Sequence, residues 1–226
     1  YLEPLRATAQ RYYRRQELSI DEIDSKGSNI AMFLDNLNIT IQQDLKEFIQ
    51  KYFGIEVKVK KEGGHLALTI CNHDLKTETN IADLGVGYSQ LLPFLIQLWD
   101  ISSKVSREEA HLIHRMRYDD TGFQAQYLLI EQPELHLHPA YQARIVDVIV
   151  DLIGLHDSNR LGVILETHSP NIIYRISELI EKKILDHNKI QILIFEESEN
   201  GNAKITKSSF DDEGDLINWP TGFFQV

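Results

Sequence analysis

Tyr127-Leu-Leu-Ile-Glu-Gln-Pro-Glu-Leu-His-Leu-His-Pro139 carries more structural information than any other stretch of this chain. Its apolar residues run straight into Glu131, and Pro133 follows at once. A short apolar run closed by proline predicts a buried strand that ends in a turn. In an open α/β sheet, ligands bind at the carboxyl ends of strands. Glu131 therefore stands where a carboxylate can hold a metal ion beside a phosphate. Gln132, Glu134, His136 and His138 follow as an unusual polar cluster.

Working outward, Pro139 at a first helical turn predicts a helix through about residue 155. Leu161-Gly-Val-Ile-Leu-Glu-Thr167 reads as a second buried strand, and Pro170 opens a helix to about Lys183. Ile190 to Glu196 reads as a third strand, with Ala203 to Lys207 as its hairpin partner. Strand and helix in alternation predict a mostly parallel sheet with helical cover. Upstream, Gly85-Val-Gly87 opens a strongly apolar helix from about Ser89 to Ile101. Residues 106–124 are polar and read as a surface helix plus loop. Ile30, Phe33, Leu34, Leu37, Ile41, Leu45, Phe48 and Ile49 recur at helical spacing, which predicts one helix over about 29–53, ended by Gly54. Ile55 to Lys60 alternates with period two, and Gly63-Gly64 leads into His65 to Cys71. That is a hairpin signature, expected at the edge of a small sheet.

The 226 residues are 42% hydrophobic and 25% charged, as in an ordinary globular protein. No apolar run is long enough for a membrane span, and no signal segment opens the chain. Cys71 is the single cysteine, which excludes an intrachain disulfide and a thiolate metal site. A reducing, cytoplasmic setting is expected. The formal net charge of -11 argues against broad electrostatic binding to nucleic acid. Arg6, Arg11, Arg14 and Arg15 form either a local basic patch or a solvated helix face.

Three constellations carry chemistry. Asp83-Leu-Gly-Val-Gly-Tyr-Ser-Gln90 precedes an apolar helix, where glycines and free N–H groups suit a phosphate; a plain tight turn capped by Ser89 is the alternative. Glu131-Gln-Pro-Glu134 offers the metal-side carboxylate, against an acidic loop. Glu166-Thr-His-Ser-Pro170 places His168 at a strand end, where it can contact a phosphate and orient water, while Ser169 caps the next helix. His136 and His138 share a face only on a strand, so a loop role outweighs zinc.

Together these residues resemble ABC-type ATPases of the RecF, chromosome-maintenance and overcoming-lysogenization-defect group. The resemblance covers about residues 80 to 200. It implies an α/β P-loop NTPase head of ABC type, with residues 1–80 as a helical and hairpin lobe and 81–226 as the ATPase core. It implies Glu131 as the Walker B acid and Mg²⁺ ligand, with Gln132, Glu134 and His168 as the catalytic group. Gly85, Gly87, Ser89 and Gln90 then form the signature loop, Leu135 to Pro139 covers the D-loop, and His168 is the switch histidine. ATP and Mg²⁺ are the implied cofactors, held between two copies of the head. DNA-linked work or phage defence, with a nuclease or effector partner, is the implied setting.

Two departures stand out. Gln132 occupies the place of the catalytic glutamate, and an amide cannot accept a proton. Either Glu134 or a water network substitutes, or turnover is slow and ATP binding matters more than hydrolysis; slow turnover is the expectation. No GxxxxGK followed by Ser or Thr occurs in these residues, so the main phosphate cradle is expected on upstream sequence. The abrupt start at Tyr1-Leu-Glu-Pro-Leu-Arg6 fits a piece of a longer polypeptide. A non-hydrolysing dimerisation or sensor module is the competing expectation.

Overall fold

The computed structural model describes residues 7–16, 20, 22–72, 77–115, 126–155, 161–197 and 201–220. The expected basic Arg6 and much of the 106–124 loop lie outside them. By packing, the chain divides into two compact units, Tyr1–His168 and Ser169–Val226. The residue-80 boundary is not where packing divides: one core joins Ile30 and Phe33 to Phe94, Ile130 and Leu152.

In the first unit, β1 (Tyr13–Arg14) is followed by α1 (Ile30–Asn36) and α2 (Ile39–Phe53). The single helix expected over 29–53 is thus two. Asn38 is extended, and its side chain accepts from the Ile41 N–H, so it starts a new helix. Gly54 closes α2 as expected, with φ 66. The hairpin β2 (Ile55–Glu62) and β3 (His65–Asn72) is also as expected, and β3 pairs antiparallel with β1 and with β4 (Thr77–Asn80).

Helix α3 (Val86–Arg115) is longer than expected and runs through Pro93. Leu91, Leu92, Phe94, Leu95, Ile96, Leu98 and Trp99 are all buried, so the stretch from Leu91 to Trp99 is apolar around its circumference and sits in the core. Strand β5 (Gln126–Glu131), α4 (Pro139–Leu155) and β6 (Leu161–Glu166) make a strand–helix–strand unit with β5 and β6 parallel. One face of the pair, with Leu128, Ile130 and Leu161, is buried; Tyr127, Leu129 and Ile164 on the other are exposed.

The second unit holds α5 (Pro170–Glu181), capped by Ser169, and the strands β7 (Ile192–Glu197), β8 (Ala203–Phe210) and β9 (Leu216–Ile217). The expectation of a mostly parallel sheet needs correction. Strand β7 pairs with β8 as the expected hairpin partner, but in a three-stranded antiparallel sheet; β5–β6 is the parallel pair among the described residues. The reason lies in burial: Ile194 is buried while Leu193 and Phe195 are exposed, the alternation of a one-sided strand.

Candidate functional site

Parallel pairing in register brings the two acid-bearing strand ends side by side, with Glu131 opposite Glu166. The Gln132 N–H donates to the Glu166 carbonyl at 2.9 Å, extending the ladder one step past β5. The chain then turns sharply. Gln132 and His136 both adopt left-handed backbone, at φ 41 and φ 62. The Leu135 N–H donates to the Gln132 carbonyl at 3.2 Å and the Leu137 N–H to that of Glu134 at 3.0 Å. This turn draws Glu134 inward, where it is 8% exposed. Glu134 Oε1 accepts the backbone N–H of His168 at 2.7 Å, while its buried Oε2 has no hydrogen-bond partner among the described residues. Glu131 and Gln132 are half-buried, and Glu166 and His168 are exposed. Glu131, Gln132, Glu134 and His168 therefore lie at one carboxyl edge. The tie between Glu134 and the His168 backbone was not foreseen; the only sequence signal was a carboxylate so close to a proline turn.

The glycine loop lies beside this edge. Gly85 has φ 82 and is exposed with open space around it. A Cβ on Gly87 would lie 3.0 Å from the His136 carbonyl oxygen, so the turn after β5 packs directly on the head of α3. Ser89 and Gln90 are 5% and 3% exposed, and Ser89 Oγ donates to the Val86 carbonyl at 2.7 Å. Ser89 thus braces the loop from within and Gln90 is buried; the outward part of the loop is Gly85 and Val86. Tyr88 and Tyr141 join the heads of α3 and α4 through hydroxyls 3.3 Å apart. Burial, then that hydrogen bond, push the Tyr88 hydroxyl up to about 12.

His138 Nδ1 accepts the Ala140 N–H at 3.2 Å at the start of α4, and His136 occupies the strained turn, so this histidine pair is built into a loop. No group of three or more His, Cys, Asp or Glu suited to a metal occurs among the described residues. Mg²⁺ does not require one: it commonly takes one or two carboxylates, phosphate oxygens and water. Of the arginine cluster's described members, Arg14 lies on β1 and Arg11 and Arg15 flank it, none of them on a helix face. Arg11 pairs with Asp83 at 2.5 Å and Arg15 with Asp35 at 3.3 Å, which weakens the cluster as a nucleic-acid patch. No helix among the described residues is long and apolar enough to cross a membrane.

No curated protein matches the chain. Among solved structures it is similar to the Smc head bound to the C-winged helix domain of ScpA, at 15% identity and TM-score 0.48, over 75% of this chain and 42% of that one. A structure concerned with ATP-driven dimerisation and DNA-stimulated activation of SMC ATPases gives 16% identity and TM-score 0.48, over 82% and 89%. The Smc head with an extended coiled coil bound to the C-terminal domain of ScpA, from Pyrococcus furiosus, gives 15% and 0.46, over 75% and 34%. The chain thus spans less than half the length of the first and third. The family model of the AAA ATPase domain matches residues 3–173, a stretch that includes the glycine loop and both acid-bearing strand ends, and the chain belongs to that family.

Proposed function

We propose that this chain supplies the glycine-loop, metal-side and switch parts of an ABC-type ATPase head, which clamps ATP and Mg²⁺ between two copies and hydrolyses slowly. The observation that carries this reading is the convergence of Glu131, Gln132, Glu134 and His168 on one strand edge, with Gly87 packed against the same turn. When bound, Mg²⁺–ATP would supply the electrophilic phosphoryl group and a cation to offset its charge. Glu131 would hold the cation through its carboxylate. His168, exposed at the end of its strand, faces solvent where a terminal phosphate can be met. Gly85 and Gly87 offer backbone N–H groups at the head of α3 to the nucleotide of the partner copy. Gln132 can orient water by hydrogen bonding but cannot take its proton. Cytoplasmic DNA-linked work or phage defence, with a nuclease or effector partner, is the setting we favour.

The test is ATP-dependent dimerisation and turnover of the full-length protein. Glu131→Ala and His168→Ala should each abolish both. If both variants dimerise and turn over like wild type, the assignment fails. Gln132→Glu should raise turnover by about a hundredfold, the low end of what a positioned base contributes. Gln132 also favours a second reading, a nucleotide-dependent dimerisation or sensor module without hydrolysis. That reading predicts ATP-driven dimers whose turnover stays nil in Gln132→Glu.

A further inference from the structure

The buried carboxylate of Glu134 is an expensive choice at its position. One oxygen is satisfied by the His168 N–H, and the other is buried with no donor among the described residues. Leaving a buried acceptor unpaired costs stability, and an apolar side chain of similar size would avoid that cost. The surrounding turn is strained as well, with Gln132 and His136 both at positive φ. Stability alone does not account for this arrangement.

Its connectivity does. Through its side chain Glu134 holds the backbone of His168. Through its carbonyl it accepts the Leu137 N–H and, at 3.4 Å, Gln142 Nε2, which fixes the far side of the turn. Between these contacts sits His136, whose carbonyl touches the space that a Cβ on Gly87 would fill. We infer that Glu134 is a positioning residue that transmits the placement of the His168 segment, through the strained turn, to the glycine loop at the head of α3 within one copy of the chain. The glycine loop can then sense what the His168 edge holds. This deepens the reading of the site as nucleotide-binding and rests on it for the identity of the signal, but not for the mechanical link.

Two arms test it on the full-length protein. The first uses no nucleotide and follows hydrogen exchange of the His168 amide. Glu134→Ala should speed exchange by about tenfold or more, and Glu134→Gln, which keeps an acceptor oxygen, should restore protection. Coupling is reciprocal, so Gly87→Ala, which presses on the His136 carbonyl, should also speed exchange at His168. Unchanged exchange in Gly87→Ala overturns the link, and faster exchange sustains it. The second arm adds ATP to protein dilute enough to stay a single copy, so that no partner nucleotide touches the loop, and follows the Gly85 and Gly87 amide resonances. They should move in wild type and in Glu134→Gln but stay in place in Glu134→Ala at matched, measured ATP occupancy; if Glu134→Ala takes up no ATP, the first arm decides the link. A Glu134→Ala protein that binds ATP and moves both resonances as far as wild type overturns the proposal. A wild type that binds no ATP overturns the nucleotide reading alone, and the first arm then decides the link.

Discussion

Gly85 and Gly87 head the same helix, yet replacement should fail at each for a different reason. At Gly85 there is open space, but φ is 82, so an alanine pays only for left-handed backbone. Gly85→Ala should cost about 1–2 kcal/mol. At Gly87 the neighbour is a backbone carbonyl that must shift, so Gly87→Ala should cost about 1–3 kcal/mol through overpacking. Urea denaturation measures both. A Gly87→Ala protein as stable as wild type would mean the turn after β5 is free to move, against the contact described. The glycines were legible in the sequence as a turn, and Glu131 as a strand-end acid, because both signals are local. The contact of Gly87 with His136, and of Glu134 with the His168 backbone, was not legible. Each joins residues far apart in sequence, and backbone partners leave no trace in side-chain identity.

Elements were legible where apolar periodicity and end signals agreed. Gly54, the β2–β3 hairpin, α4 and α5 fell where expected. The break between α1 and α2 was hidden because Leu37 and Ile41 keep the helical spacing on either side of it, while Asn38 competes for the backbone through its side chain. Asn38→Ala should therefore cost about 1 kcal/mol by removing the cap, and a thermal melt checks it. Strand β7 was placed in the wrong kind of sheet because its letters are continuously apolar while its burial alternates. At the end of α5, Lys182 and then Arg175 hold the Glu178 carboxyl below the usual carboxylate range. Lys182 is i+4 from Glu178, and Arg175 Nη1 lies 2.5 Å from Glu178 Oε2. A carboxylate with a lowered value contributes stability above its ordinary range and loses it as pH falls through the lowered one. Glu178→Gln should melt slightly below wild type at neutral pH and together with it in strong acid. Salt should shrink the neutral-pH gap, since the pair is exposed to solvent. A gap that persists in acid would assign the effect to something other than charge.

On the scale of the whole molecule, each compact unit carries its own apolar core. Phe94, fully buried, belongs to the large core of residues 30–152. Phe210, 2% exposed, belongs with Ile173 and Ile180 to the smaller one. Every residue assigned to the candidate site, from Gly85 to His168, lies in the first unit. Two cores of unequal size give no reason for a single two-state transition. Truncating a buried phenylalanine to alanine costs about 3–5 kcal/mol, enough to separate the units in calorimetry. Phe210→Ala should lower the transition of the second unit, leave that of the first in place, and leave the His168 amide protected. Phe94→Ala should lower the transition of the first unit and expose that amide at a lower temperature. If the two variants instead shift one shared transition by similar amounts, the chain folds as a single cooperative block. The site would then depend on both cores, and α5 with its antiparallel sheet would be part of what holds His168 in place.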